Sequence, residues 1–308
     1  MAVPKTETSK AWTEIVDANV GEHGEIVAGI DPWLADVPAA FESGADGTGW
    51  LPRYLDFVLD VIIGDVGFVK FQSAFFEAYG LAGMSALSSA MKRARSAGMG
   101  VILDAKRGDI GSTAAAYARA YLTPDHAGGS GDFEADCLTV NPMLGPDTLE
   151  PFVDCVRRYG KGLLVLCRTS NPGAGWLQDR MSGNRSMSER LADLITSIGG
   201  VCTTGSGLTP VGAVIGATFP HEGQRLRQLL PNAIILAPGL GPQGGDPAAL
   251  DVLRGTNRGD LLVPVSRGLL RAEDRTISLN DYERLIRARL AELKAAITAP
   301  VGLGDAAC

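Results

Sequence analysis

The sequence is short of the residues that announce a metal centre or a disulfide framework. Its 308 residues include five cysteines and three histidines. The cysteines (Cys137, Cys155, Cys167, Cys202 and Cys308) are odd in number and form no C-x-x-C pair, which excludes a disulfide-built scaffold and a zinc ribbon. His23, His126 and His221 are scattered, and neither HExxH nor a Ser-His-Asp set is present, so no metal site is expected. Long hydrophobic runs are missing too. The longest, such as Val211–Thr218, reach about half of the roughly 20 residues that span a bilayer. No apolar stretch behind a basic start marks residues 1–25 as an export signal. A cytoplasmic protein with no membrane partner is expected. Positive charge is also in deficit: 28 Lys+Arg against 35 Asp+Glu leave a net charge of −7, which argues against a nucleic-acid partner.

What the chain has is a large apolar fraction, 45%, cut into short pieces. Eight runs of four to six residues read Ile26–Ile30, Val66–Phe71, Gly100–Leu103, Cys137–Val140, Gly162–Leu166, Val211–Ile215, Ala233–Ala237 and Leu261–Val265. Continuous apolar runs of this length suit strands buried on both faces. Between them lie helical patterns at 52–63, 85–97, 112–121, 147–159, 186–198, 222–230, 247–254 and 278–297, many opening after Ser, Asp or Pro. Alternating strands and helices require parallel strands joined by right-handed crossovers. Eight such units predict an α/β fold: a single (β/α)8 TIM barrel over about 26–297, with an extra N-terminal helix at about 8–20 capping its bottom and a loose tail at 298–308. A doubly wound open sheet is the alternative on pattern alone.

Three long connections stand out. Those at 32–51 and 171–185 follow strands and belong to the active, C-terminal face of a barrel; 123–135 follows a helix and belongs to the opposite face.

The densest polar cluster is Asp104-Ala105-Lys106-Arg107-Gly108-Asp109, where the third run ends. Residues two apart on a strand share a face, so Asp104 and Lys106 point together into the barrel mouth. Lys70 ends the neighbouring run and Asp31 ends the first. Five charges at the ends of three consecutive strands are hard to explain structurally, because buried charges are costly unless paired. A solvated salt-bridge ring at the rim is the bland reading. Alternating Lys and Asp also has a chemical use: each keeps the other ionised, so the lysine remains an ammonium that can stabilise a carbanion and then protonate it. A second cluster suits phosphate. Pro238–Gly245 follows the seventh run and Ser266-Arg267-Gly268 the eighth, the loops that commonly bind phosphate in barrels. Gly239–Gly244 also matches G-x-G-x-x-G, but at the seventh strand and with Pro242 inside it, which is the wrong place for a dinucleotide fingerprint. Asn141-Pro142 and Arg168-Thr169-Ser170-Asn171-Pro172 put hydrogen-bonding groups at the same face, where they could meet a heterocycle or simply cap loops.

These blocks carry a resemblance. Asp104-Ala-Lys106-Arg-Gly-Asp109-Ile110-Gly111-Ser112-Thr113 resembles the signature of the orotidine 5′-phosphate decarboxylases. Lys70-Phe71-Gln72-Ser73-Ala74-Phe75-Phe76-Glu77 and Arg168–Pro172 are similar to the longer bacterial branch of that family, the type 2 subfamily, over roughly residues 26–290. The resemblance implies the last step of de novo UMP synthesis, orotidine 5′-phosphate to UMP and CO2, without metal or organic cofactor. It implies that Lys106 protonates C6 of the pyrimidine, that Asp104 lies beside the departing carboxylate, that Lys70 bridges the carboxylates and the ribose, and that Asp31 holds a ribose hydroxyl. Ser170 would bond the pyrimidine amide edge, Gln243 and Arg267 would grip the phosphate, and Asp109 and Thr113 would enter the partner's site across a homodimer interface. No role carries over to Asn141-Pro142, and both the 123–135 insertion and the tail after 297 fall outside the shared pattern. Three rivals remain: Mg2+-dependent keto-sugar-phosphate decarboxylases and hexulose-phosphate synthases that share D-x-K-x-x-D, a class I aldolase using Schiff-base chemistry, and a catalytically dead phosphate-ligand sensor.

Overall fold

The computed structural model describes residues 10–42, 47–200, 206–239 and 248–298. Eight parallel strands close into a barrel: β1 (Ile26–Ile30), β2 (Phe68–Gln72), β3 (Gly100–Arg107), β4 (Cys137–Val140), β5 (Gly162–Arg168), β6 (Thr209–Ile215), β7 (Ala233–Leu236) and β8 (Leu261–Val265). Each pairs with its neighbours in chain order, and β8 closes on β1 through Ile26↔Val263. All eight expected runs are strands. The main departures are extensions: β3 and β5 continue through their charged ends to Arg107 and Arg168, so the polar residues sit on the barrel wall itself.

Among the described residues, eight helices of ten or more residues pack around or beneath it: α1 (Trp12–His23), α2 (Trp50–Ile62), α3 (Gly80–Ser96), α4 (Gly111–Leu122), α5 (Glu150–Tyr159), α6 (Met187–Gly199), α7 (Pro220–Leu229) and α8 (Leu279–Thr298). The helical pattern at 52–63 is α2, and Leu55, Val58, Leu59 and Ile62 form its buried face. Ser186 is the N-cap of α6 rather than its first residue: its Oγ accepts from the Glu189 N–H, and the Glu189 carboxylate accepts from the Ser186 N–H. Between β7 and β8 the described helix is a single turn, Ala248–Asp251, shorter than the pattern at 247–254 suggests.

Apolar burial occurs in two layers. The larger lies between strands and helices. The smaller fills the barrel with Val27, Phe68, Ile102, Cys137, Leu164 and Ile234, and Trp12 and Val16 of α1 join it from below. The N-terminal helix expected at about 8–20 runs from Trp12 to His23, with Trp12 and Val16 packed on the smaller layer. Its start is fixed by the Glu14 carboxylate, which accepts from the Ala11 N–H, and by Trp12, whose N–H donates to the Gly160 carbonyl. Gly162 is required there, since a Cβ would lie 2.3 Å from the Trp12 ring. Among the described residues, apolar side chains plug the bottom, and the cavity opens at the C-terminal mouth. Among the described residues no helix is long and apolar enough to cross a membrane.

Candidate active site

The mouth opens into a cavity of about 720 Å³. Its floor is charged. Asp104 is buried, and each of its carboxylate oxygens meets an ammonium: Oδ1 lies 2.6 Å from Lys106 Nζ and Oδ2 lies 3.1 Å from Lys70 Nζ. Lys70 Nζ also approaches Asp31 Oδ1 at 3.7 Å and Gln72 Oε1 at 3.4 Å. The strand register makes this possible: Lys70 stands beside Gly29 on β1, and Gln72 beside Asp104 on β3. Gln72 Nε2 donates to the Asp104 carbonyl at 3.0 Å, which ties β2 to β3 at the level of the charges.

The electrostatics follow from this packing. Burial alone would push the Asp104 carboxyl up, but the charges of Lys70 and Lys106 more than offset it and hold it at about 2. Burial would likewise discharge Lys70, yet Asp104 and then Asp31 raise it above the ordinary lysine value. Both groups are therefore ionised at neutral pH. Lys106 differs in exposure: its side chain is 44% accessible, whereas Lys70 is 7% accessible. Lys106 carries the reachable ammonium and Lys70 the fixed one.

Lys106 is also the one non-glycine residue with positive φ among the described residues, at 47°. That left-handed conformation is disfavoured for a lysine by roughly 1–2 kcal/mol. It arises at a bulge. The pairing of β3 with β4 runs Leu103↔Leu138 and resumes at Arg107↔Val140, so Asp104, Ala105 and Lys106 stand opposite Thr139 alone. Beyond the bulge Arg107 is anchored outward, paired with Glu77 and stacked over Tyr117 and Tyr121, with ring centroids at 5.4 and 5.7 Å.

The rest of the cavity wall is more neutral. Ser170, Asn141, Leu166, Val214, Leu236 and Pro264 line it. Ser170 can sit over the end of β6 because Gly216 has no side chain; a Cβ there would lie 2.8 Å from the Ser170 Cβ. The segment carrying Ser170 is held from below by buried Arg168, whose guanidinium lies 4.2 Å from the Phe219 ring centroid and 3.2 Å from Asp179. Gln178 accepts from the Thr169 N–H at 2.9 Å. Asn141 Oδ1 caps its own loop by accepting from the Met143 N–H at 3.0 Å, yet Asn141 still lines the cavity. Arg267 reaches the mouth from the single helical turn after β8.

Lys106, Asp104, Lys70, Asp31, Ser170 and Arg267 thus gather in one cavity. Asp109 and Thr113 do not join them. Asp109 is half-buried and accepts from the Ile110 N–H, Thr113 is exposed on the first turn of α4, and Ile110 between them is 62% exposed. Gln243 and residues 240–245 of the glycine-rich stretch lie outside the described residues. Sequence reasoning gave no role to Gln72 or Thr139. Thr139 left a faint signal, as the one hydroxyl in the otherwise apolar run Cys137–Val140.

This geometry has known counterparts. The family model described as "Orotidine 5′-phosphate decarboxylase / HUMPS family" matches residues 49–282. The orotidine 5′-phosphate decarboxylase of Rhodopirellula baltica is 40% identical over 258 residues, covering 80% of this chain and 83% of that protein. The enzyme of the same name from Deinococcus radiodurans is 48% identical over 231 residues, covering 75% and 78%. Among solved structures, the OMP decarboxylase of Leishmania donovani superposes with a TM-score of 0.65 at 31% identity, covering 92% of this chain and 99% of that one. The chain belongs to the orotidine 5′-phosphate decarboxylase / HUMPS family.

Proposed function

We infer that the chain is a carboxy-lyase that converts orotidine 5′-phosphate to UMP and CO2, the closing step of de novo pyrimidine nucleotide synthesis, at the cavity above Asp104. One observation carries the mechanism: a carboxylate buried between two ammonium groups, one of them reachable from the cavity. The substrate carboxylate at C6 meets Asp104, which stays charged down to about pH 2. That repulsion disappears when the group leaves as neutral CO2. The C6–carboxylate bond breaks, its electron pair remains on C6, and the adjacent Lys106 ammonium stabilises the pair as it forms. Lys106 Nζ then gives its proton to C6, completing the C–H bond, and the exposed amine takes a new proton from solvent. Lys70 stays protonated throughout, holding Asp104 and Asp31 in place for the ribose hydroxyls. Ser170 suits the pyrimidine amide edge. Arg267, with Gln243, takes the phosphate. Contacts on that unreactive group lower the barrier only if they help hold the closed, aligned complex.

Two features favour this reading over its rivals. The raised Lys70 is a poor Schiff-base nucleophile, since a class I aldolase needs a free amine. The relatives at 40% and 48% identity carry the decarboxylase name. We also propose a cytoplasmic location, which suits the free thiols of buried Cys137, Cys155 and Cys167.

The test mixes the purified chain with orotidine 5′-phosphate and EDTA and follows pyrimidine absorbance. Turnover should persist in the chelator. Arg267→Ala should lower kcat/KM by about 10²-fold, the scale of a lost charge-assisted phosphate contact. Absence of turnover, or turnover that needs Mg2+, would overturn the reading.

We further propose a homodimer in which Asp109 and Thr113 complete the neighbouring site. Their position outside the protomer's own cavity, beside exposed Ile110, supports this. Lys106→Ala and Asp109→Ala subunits, each inactive alone, should regain about a quarter of wild-type activity when mixed. Half of the dimers are then mixed, and one of the two sites in each is whole. No recovery after subunit exchange would sink the shared-site arrangement.

A further inference from the structure

We propose that Thr139 is a positioning residue for the reaction: its hydroxyl holds the strained Lys106 backbone and the Asp104 carboxylate in one fixed relation. The inference rests on the reading of Lys106 as the proton donor.

Where β3 carries three residues opposite one of β4, a regular ladder cannot satisfy every backbone group. The Lys106 N–H is one that leaves the ladder, and it donates to Thr139 Oγ1 at 2.9 Å. The same hydroxyl donates to Asp104 Oδ1 at 2.9 Å. Thr139 is 1% exposed, so water does not compete for these bonds. A single side chain is therefore fastened to both ends of the bulge, accepting at one end and donating at the other.

This arrangement has two chemical consequences. First, the left-handed φ of Lys106 must be held by something, because a lysine would relax from it. The Thr139 bond on the N-terminal side of Lys106 and the Glu77–Arg107 pair on the other fix it between them. Second, Asp104 Oδ1 accepts from both Lys106 Nζ and Thr139, which sets the direction of the carboxylate. The ammonium and the carboxylate that repels the substrate are then placed by one hydroxyl, itself out of reach of the substrate. Misplacing reacting groups by about 1 Å is enough to lower a rate about 10²-fold.

The test compares Thr139→Val, close to isosteric but without the hydroxyl, with Thr139→Ser, which keeps it. Each is assayed on orotidine 5′-phosphate beside the wild type, with thermal unfolding measured in parallel. Thr139→Val should lower kcat about 30- to 100-fold with KM changed less than about 3-fold, while Thr139→Ser should stay within about 3-fold of wild type in kcat. Should the valine variant fail to fold, Thr139→Ala supplies the same comparison with more room. A valine or alanine variant with wild-type kcat overturns the inference. So does a serine variant as impaired as valine, which would mean that packing of the methyl group is the whole role. The wild-type assay keeps the two claims apart: a wild type that does not decarboxylate the nucleotide refutes the proposed function, whereas an active wild type with an equally active valine variant refutes only the role of Thr139.

Discussion

Lys106→Ala should lower kcat by at least about 10⁴-fold while binding of UMP stays within about 10-fold of wild type. The magnitude follows from two roles held by one group. Proton transfer to the product carbon is worth about 10²–10⁴, and electrostatic stabilisation of the developing charge a further 10²–10³. Binding should survive because the cavity wall, Arg267 and Lys70 do not depend on the Lys106 side chain. Lys106→Arg should be nearly as inactive: a guanidinium keeps the charge but gives up its proton too reluctantly to quench a carbanion. Lys106→Gly adds a readout on the backbone. It should be as inactive as Lys106→Ala yet more stable by about 1 kcal/mol in urea unfolding, because glycine accepts the positive φ that alanine does not. An alanine variant retaining more than about a hundredth of wild-type kcat would remove Lys106 from the chemistry. Equal stability of the glycine and alanine variants would mean that the backbone there carries no strain.

The barrel was legible because its signal is redundant. Eight apolar runs at regular spacing cannot close in many ways, and each strand core sits where its run predicts. The charged floor was legible for a different reason. Lys70, Asp104 and Lys106 interrupt or end runs that are otherwise apolar, and an ionisable residue in such a place needs a partner. What could not be read was anything that depends on register. Thr139 lies 35 residues from Asp104, and its role exists only because β3 gains residues against β4. No composition or period in Gly100–Arg107 announces that bulge. Gln72 is similar: it stands in the quoted block, but its bond to the Asp104 carbonyl follows from the pairing of β2 with β3. Arg168 was visible in the polar block after the fifth run, yet its stacking on Phe219, from the connection after β6, was not. Asp109 and Thr113 mark the limit of a single protomer: their chemistry, if shared, belongs to an assembly.

The floor of the site combines a strained backbone with three buried or half-buried charges, an arrangement that does little for stability by itself. Buried ion pairs rarely exceed a well-packed apolar alternative in stability. Removing one member is different, because it strands the others, and this gives the second large effect.

Asp104→Asn should lower kcat about 10³-fold without raising KM, and its loss of stability should be greatest near neutral pH. The kinetic part follows from the mechanism. The amide neither repels the substrate carboxylate nor fixes the Lys106 ammonium as firmly, and the ground state loses a repulsion rather than a contact. The stability part follows from the two titrations. The folded Asp104 carboxyl, at about 2, lies below its unfolded value of 3.8. A depressed folded value contributes stability that is fully present above the unfolded value and is lost as the pH falls through the folded one. The window is therefore about pH 4 down to about 2, and the contribution is about 2 kcal/mol. Lys70 is raised above its unfolded value of 10.5, so its contribution is present below that value and is lost as the pH rises through the folded one. In the asparagine variant Lys70 keeps Asp31, at 3.7 Å, as its one remaining anionic partner, and burial then drives its ammonium toward discharge. Urea unfolding of both proteins from pH 2 to 10 should show a gap of about 3 kcal/mol at pH 7, narrowing below pH 4 as the wild type protonates and again in alkali as Lys70 of the variant gives up its charge. A gap that stays constant from pH 5 to 2 would mean that the two lysines do not hold Asp104 ionised, and the electrostatic basis of the mechanism would fail with it.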